Sequence, residues 1–379
     1  MRIGIDCRFY DLQNAGLGRY TSELVRNLLK LDKKDEFILF FNRDNADQFK
    51  SRQKNAEKVV VDIPHYSLAE QFKLPGILKK HRLDLMHFTH FNHSIFWLGP
   101  SIFNVHDLTL SFFPGRGFNN PLKKFAYELT LRSALGKGKK IIALSKNTKD
   151  EIVKYYKVDP DKVVVIYPGV DQYKRISPQS RKINAVKRKY KITKPYFLYT
   201  GQWRIHKNLI RLVEAFYKLI KGRKLDAQLV IAGKKDSAFP QLPKRIRDLR
   251  LGRKVILTGF VEDKDLPYLY TGARVFVFPS LAEGFGLPPL EAMALAIPVA
   301  SSDASCMPEV LGKAALYFEP RDIDDIAEKM EKIFKDENLR SKLSRLGIKQ
   351  AKKYRWERLA KEILILYSKI KNDYKNIDY

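Results

Sequence analysis

Glu283-Gly284-Phe285-Gly286-Leu287-Pro288-Pro289-Leu290-Glu291 is the stretch on which the reading of this chain turns. It follows Val275-Phe276-Val277-Phe278, a continuous apolar run that reads as a buried strand, and leads into a helix predicted over Leu290 to Leu295. Strand, glycine loop and helix start therefore follow directly on one another. Glycines let backbone N–H groups approach a ligand, and prolines suit a first helical turn, where a missing donor costs little. A helix N-terminus presents unpaired N–H groups and a partial positive charge, which favours phosphate. Glu291, expected in the first turn, is placed to accept hydrogen bonds from sugar or ribose hydroxyls. Each piece alone is common in a capped surface helix; the assembly is not.

Outward from this stretch the same grammar repeats. Strands are predicted in the first half at Arg2–Ile5, Phe37–Phe41, Val59–Val61, Leu85–Phe88, Ile102–Val105, Ile141–Leu144 and Val163–Tyr167. The second half adds Tyr196–Thr200, Leu229–Ala232, Val255–Thr258, Val275–Phe278, Val299–Ser301 and Leu316–Phe318. Helical patterns, such as Gly18–Leu31 and Lys146–Tyr156, lie between them. Continuous Val/Ile/Phe runs mark parallel strands covered on both faces. The expectation is an α/β protein of two doubly wound, Rossmann-like parallel-sheet domains. The first spans 1–172 and the second 190–355, with a hinge at Pro168-Gly169 and a polar, basic stretch from Ser177 to Thr193 between them. The closing pattern from Trp356 to Lys371 puts Leu359, Ile363, Leu366 and Ile370 on one face. This tail, 356–379, is expected to pack back on the first domain.

A chain of 379 residues with 45% hydrophobic content fits two globular domains. No apolar run approaches the roughly 18 residues of a membrane span, and the opening Met1-Arg2-Ile3-Gly4-Ile5-Asp6 reads as a strand, not a signal peptide. Cys7 and Cys306 lie too far apart for a metal motif or disulfide framework, so a cytoplasmic location is expected. The formal net charge of +29 is spread over both halves and implies anionic partners: nucleic acid, anionic lipid or phosphorylated substrates. A generally basic proteome would produce the same excess.

Three further loops carry chemistry. Asn14-Ala15-Gly16-Leu17-Gly18-Arg19-Tyr20-Thr21 has its glycines late and Thr21 where a dinucleotide fingerprint needs a third glycine, so NAD binding is not expected. A glycine loop approaching a phosphate and a simple tight turn both remain open there. Thr200-Gly201-Gln202-Trp203-Arg204-Ile205-His206-Lys207-Asn208 follows a strand directly, and its guanidinium and ammonium suit a diphosphate clamp. It is not a Walker A sequence. Val105-His106-Asp107 again ends a strand; His106 serves either a sugar hydroxyl or its own packing.

Two metal signals are weak. His87, His90 and His93 recur at three-residue intervals without a fourth ligand at a convincing spacing. Asp322-Ile323-Asp324-Asp325 has a D-x-D shape but opens the helix Ile323–Phe334, where acidic residues cap. Phe112-Phe113-Pro114-Gly115-Arg116-Gly117-Phe118, followed by Pro121-Leu122-Lys123-Lys124-Phe125, suits an anchor on an anionic bilayer and equally suits core packing beside solvated lysines.

With these motifs assembled, the chain resembles glycosyltransferase family 4, the retaining GT-B transferases, and looks closest to the mannosyltransferase-like branch that builds surface polysaccharides. The resemblance runs through Gly16 to Arg19, His106-Asp107, Ala143-Leu144-Ser145, Pro168 to Asp171, Gly201 to Asn208, Gly259-Phe260-Val261, Glu283 to Glu291, Pro298-Val299, Pro308-Glu309-Val310 and Arg355-Trp356. It implies two domains facing across a cleft, with the acceptor on the first and the nucleotide-sugar on the second. Glu291 would bind ribose hydroxyls, while Glu283 and the backbone of Phe285, Gly286 and Leu287 would hold the donor sugar and its phosphate. Arg204 and Lys207 would stabilise the departing diphosphate, Gly16 would approach it, and His106 would contact the donor sugar. Gly201 and Val261 would line the donor side; Gly18, Arg19, His87, His90 and Ser145 fall on the acceptor side. Gln202 stands where many members carry arginine, and Arg204 is the candidate replacement.

The function so implied is metal-independent, retaining transfer of a hexose, mannose from GDP-mannose, to a lipid-linked or oligosaccharide acceptor. No cofactor and no nucleic acid partner are expected, and an anionic membrane surface is. A UDP-sugar transferase and a GT-B epimerase are the neighbouring alternatives; a non-catalytic nucleic-acid or membrane binder is a different class, for which no RNP, KH or zinc-finger pattern is present.

Overall fold

The computed structural model describes all residues except 11–14, 52, 116–119, 174–178, 237–238 and 376–379. Asn14 of the first glycine loop, residues 116–118 of the aromatic stretch and residues 177–178 of the expected linker lie outside the described residues. The chain divides into two compact units, the first Met1–Leu108, Gly117–Gly169 and Arg355–Tyr379, the second Thr109–Arg116 and Val170–Tyr354.

In the first unit the strands are β1 (Arg2–Asp6), β2 (Glu36–Phe41), β3 (Ala56–Val60), β4 (Leu85–Phe88), β5 (Ser101–Val105), β6 (Lys140–Ala143) and β7 (Val163–Val165). They form one sheet in the order β3-β2-β1-β4-β5-β6-β7, and every pairing is parallel. The strand order reverses between β1 and β4, where Asp6 stands beside Phe88 at the carboxyl ends. Such a reversal opens a crevice beyond the strand ends, the usual place for a ligand in an open α/β sheet. Helix Trp356–Lys375 packs along helix Ala15–Leu31 and buries Leu359, Ile363, Leu366 and Ile370, so the tail belongs to this unit. Gly169 makes the return possible: a Cβ there would lie 2.2 Å from the Trp356 nitrogen.

The second unit contains β8 (Tyr196–Thr200), β9 (Gln228–Ala232), β10 (Val255–Gly259), β11 (Val275–Phe278), β12 (Val299–Ser302) and β13 (Ala315–Phe318). Its order, β10-β9-β8-β11-β12-β13, is again wholly parallel and reverses between β8 and β11. Strands β8, β9, β11 and β12 are buried along their whole length, which is why β8, β9 and β11 run mainly apolar without alternation, while β12 ends in buried Ser301 and Ser302.

Several expectations move. The first unit ends at Gly169 instead of 172, and helix Ser180–Lys189, placed before the expected start at 190, belongs to the second. Thr109–Arg116 also joins the second unit, where the Phe113 ring lies 6.3 Å from that of His206. The first helix begins at Ala15, not Gly18, because helical propensity of the following residues carries the pattern back through both glycines.

Candidate active site

The decisive stretch crosses the second unit's reversal point. Gly286 adopts φ 86° and ψ 59°, and the helix Leu287–Ala294 starts immediately after it with Pro288 and Pro289 in its first turn. Glu291 thus lies in the second turn and not in the first. A side chain at Gly286 would meet the Met307 Cε at 2.5 Å, so both backbone angle and space call for glycine. The loop is pinned at Glu283: its N–H donates to Ser305 Oγ (3.2 Å), and its carbonyl accepts from Ser305 Oγ (2.8 Å) and Cys306 Sγ (3.2 Å).

From the β8 side comes Lys207, whose Nζ lies 2.6 and 2.8 Å from the two carboxylate oxygens of Glu283. These side chains are only 17% and 12% exposed, and the ammonium also stands 5.8 Å from the Phe278 ring centroid. Asn208 fixes the Lys207 turn. Its backbone is left-handed at φ 59°, and its amide donates to the carbonyls of Pro279 (3.0 Å) and Pro320 (2.6 Å). The His206 carbonyl accepts from Leu281 N–H at 2.7 Å, lacing the two loops together.

Glu291 is buried and already oriented. Tyr270 donates its hydroxyl to Oε2 (3.1 Å), and Gln172 Nε2 donates to Oε1 (3.3 Å). Burial, reinforced by the Glu291 charge, pushes the Tyr270 phenol well above its ordinary pKa, so the phenol keeps its proton. With that proton on Glu291, Thr200 Oγ1, at 2.6 Å, acts as donor to Tyr270. A carboxylate has about four acceptor positions and pairs well with hydroxyl donors, as Tyr270 shows. The result joins cation, carboxylates and helix start around the carboxyl ends of β8 and β11, the chemistry of a phosphorylated, hydroxylated ligand.

In the first unit, His106 follows β5 and donates Nε2–H to the Thr89 carbonyl at 2.7 Å. Because a carbonyl only accepts, this fixes the tautomer and leaves Nδ1 as an acceptor. Burial lowers its pKa against the opposing Thr89 carbonyl and Asp107 charge, so the ring is neutral near pH 7. Gly16 lies in the first turn of helix Ala15–Leu31, exposed and with open space where a side chain would stand.

Two family profiles divide the sequence at the same seam: "Glycosyltransferase Family 4" matches residues 15–173, and "Glycosyl transferases group 1" matches residues 180–350. The chain belongs to the family 4 glycosyltransferases. It is 28% identical over 373 residues to O-antigen chain mannosyltransferase B of Escherichia coli, covering 93% of this chain and 96% of that one. It is 31% identical over 235 residues to O-antigen chain mannosyltransferase RfbU of Salmonella typhimurium, covering 61% of this chain and 60% of the relative. In fold it is similar to the sucrose-phosphate synthase of Thermosynechococcus elongatus, with a TM-score of 0.78 at 18% identity over 98% of this chain and 100% of that one. The fold of this glycosyltransferase is GT-B, built on two Rossmann-like parallel sheets.

Within the glycosyltransferase, Lys207, Glu283, Phe285, Gly286, Leu287 and Glu291 come together on the second unit as the sequence led one to expect. Gly201 directly follows β8, and buried Val261 follows β10. Arg204 is exposed and has no ion-pair partner among the described residues. On the first unit, Gly16, Gly18 and Arg19 share one helix, and the rings of His90 and His106 lie 6.0 Å apart. Two assignments fail. His87 is fully buried, accepting from Tyr367 Oη at Nδ1 (2.6 Å) and donating Nε2–H to Asn104 Oδ1 (2.6 Å). Burial drives its pKa down to about 4, so it is a neutral core residue and not part of an acceptor surface. Ser145 is the buried N-cap of helix Lys146–Tyr156, accepting from Thr148 N–H at 3.1 Å.

Sequence reasoning missed Tyr270, Gln172 and Ser305, which hold the site, and gave no role to Thr200 and Asn208 at the two ends of the loop it singled out. It also missed Gly233 at the end of β9, where a Cβ would lie 1.9 Å from the Gly201 carbonyl oxygen. A glycine directly after a strand ending Val-Ile-Ala was the available signal. The hydroxyls and amides carried none.

Proposed function

We propose that the glycosyltransferase transfers mannose from GDP-mannose, with retention of configuration, to a growing surface polysaccharide or its lipid-linked precursor. The observation that carries this reading is the Lys207–Glu283 pair across the β8/β11 reversal, beside the glycine-started helix that bears Glu291. Two relatives that are O-antigen mannosyltransferases, one aligned over 93% of this chain and one over 61%, support the choice of sugar and pathway class.

In this reading Glu291 accepts ribose hydroxyls, and the N–H groups of Phe285, Gly286 and Leu287, ahead of the two prolines of helix Leu287–Ala294, face the donor phosphate. Lys207, steered by Glu283, and Arg204 neutralise the negative charge that grows on the diphosphate as the glycosidic bond breaks. The anomeric carbon acquires oxocarbenium character, and the acceptor hydroxyl attacks from the face the diphosphate leaves. The new C–O bond replaces the old one on that face, and the hydroxyl proton passes to the leaving phosphate oxygen. Two cations and a helix terminus supply the charge neutralisation that a metal provides elsewhere, so neither metal nor cofactor is assigned.

Attachment to the anionic face of a membrane belongs to the same reading. Helix Pro121–Lys137 exposes Leu122, Phe125 and Leu129 beside exposed Lys123 and Lys124, the composition of an interfacial helix. Among the described residues no helix is long and apolar enough to cross a membrane.

The test is turnover of GDP-mannose and UDP-sugars with mannose-terminated acceptors, product mass being read by mass spectrometry. Lys207→Ala and Glu291→Ala should each lower transfer by about 100-fold or more while leaving the circular dichroism spectrum unchanged. Unaltered turnover in either variant, or a preference for UDP-sugars, overturns the assignment.

A further inference from the structure

The chain crosses from the first unit to the second at Gly169-Val170 and returns at Tyr354-Arg355. The donor reading gives neither crossing a role. Within the second unit, however, residues beside both crossings are fastened to the stretch Glu283 to Glu291.

The outgoing crossing leads at once into a 3-10 turn, Asp171–Tyr173, which packs against helix Leu287–Ala294. Half-buried Gln172 donates Nε2–H to Glu291 Oε1 at 3.3 Å. The ring of buried Tyr173 lies 6.4 Å from that of Tyr270, whose hydroxyl donates to Glu291 Oε2. One carboxylate oxygen is therefore held from the crossing itself, and the other by a phenol on which the crossing packs.

The returning crossing grips the other end of the same stretch. Tyr354 is buried and sets its ring edge-on to Phe285, with centroids 5.3 Å apart and planes at 76°. Its hydroxyl donates to the Val310 carbonyl at 2.9 Å, which also accepts from Gln350 Nε2 at 2.7 Å. Val310 belongs to helix Met307–Leu311, and Met307 at the head of that helix stands against Gly286. The two crossings are also tied together, because the Val170 N–H donates to the Tyr354 carbonyl at 3.2 Å.

Phe285 and Glu291 are thus the two points at which the crossings meet the donor stretch. A nucleotide-sugar bound there holds the backbone of Phe285 and the carboxylate of Glu291 in one arrangement. The crossings hold those same two residues, so ligand and crossings act on one equilibrium, and a coupling of this kind is reciprocal.

We propose that Gln172 and Tyr354 are positioning residues that couple the two crossings to the donor nucleotide. Nucleotide binding fastens the crossings, and loosening either crossing weakens nucleotide binding. Both residues act through Glu291 and Phe285. This rests on the reading of Glu283 to Glu291 as the donor stretch, and the first measurement separates the two.

That measurement is hydrogen–deuterium exchange of the full chain, with and without saturating GDP or UDP. Backbone amides of 169–173 and 351–356 should exchange more slowly with the bound nucleotide, together with those of 283–291. A slowing confined to 283–291 overturns the coupling and leaves the donor reading standing. No slowing with either nucleotide overturns the donor reading, and the coupling with it.

The second measurement is nucleotide affinity by titration calorimetry. Gln172→Leu deletes the amide donor at nearly constant size and should weaken binding about tenfold, the worth of a hydrogen bond to a charged group. Tyr354→Leu should weaken it about fivefold, the worth of one edge-to-face ring pair. Although that change is at the returning crossing, it should also abolish the nucleotide-dependent slowing at 169–173. Tyr354→Phe keeps the ring on Phe285, and the Val310 carbonyl keeps its Gln350 donor, so it should recover most of the affinity. Side chains that only fill space would lower the denaturation midpoint and leave nucleotide affinity at the parent value; that result overturns the proposal. If Tyr354→Leu does not fold, Gln172→Leu at its half-buried position and exchange in the parent chain still decide it.

Discussion

Gly286 shows how much one position can decide. Its φ of 86° is ordinary for glycine and strained for any other residue here, and the Met307 Cε already occupies the place of a Cβ. Gly286→Ala should cost about 1–3 kcal/mol, read as a lower denaturant midpoint, and should tilt the helix start that Glu291 depends on. A variant as stable as the parent would mean that Met307 swings aside and the backbone angle is unimportant. The neighbouring carboxylates were legible from spacing, because a strand, a glycine loop and a helix start leave few places for them. Their partners were not. Tyr270 lies 21 residues before Glu291 and Gln172 lies 119 before it, and nothing in local sequence connects a phenol or an amide to a distant carboxylate.

At the scale of elements, every strand expected from an apolar run is present, with ends shifted by a few residues. Parallel strands sandwiched between helices must be apolar on both faces, so the pattern survives translation into structure. Helix starts were harder, because they depend on capping and on what lies before the first turn. The Asp322 run illustrates the part that could be read. Asp322 caps helix Ile323–Lys335, accepting from the N–H groups of Asp324 (2.8 Å) and Asp325 (3.2 Å). Asp322→Ala should lower stability by about 1 kcal/mol, measured by chemical denaturation, without altering transfer. A loss of activity with unchanged stability would favour the D-x-D reading of these aspartates over capping. Ser145 shows the reverse case, where a residue of a family motif turns out to be a cap.

Across the whole molecule, buried histidines tie the first unit's stability to pH. The pKa values of His87 and His93 are pressed down to about 4 by burial, against roughly 6.5 in an unfolded chain. A lowered folded-state pKa means that the stabilising contribution is full above about 6.5 and is lost as pH falls toward 4. Asp6 acts only in stronger acid: burial works to raise its pKa, but the Arg8 guanidinium holds it below the ordinary 3.8, so its contribution is intact at pH 5 and fades below that value. The earliest thermal transition of the full chain should therefore move down by several degrees between pH 7 and pH 5. A midpoint that stays level or rises over that interval would show that these rings open to solvent before unfolding.

Sequence alone was enough for the α/β class, the thirteen strands of the described residues, a division near Pro168-Gly169 and the grouping of Lys207, Glu283 and Glu291 on the second unit. Those features rest on local pattern: apolar periodicity, glycine and proline at turns, charge at helix starts. Packing across the sheets, in contrast, made His87 and Ser145 structural, set Tyr270 against Glu291 and locked Arg8 between Asp6 and Glu70. A titratable side chain takes its role from burial and from the atoms it meets across the sheet, and those atoms are brought to it by strand order, not by neighbours in the chain.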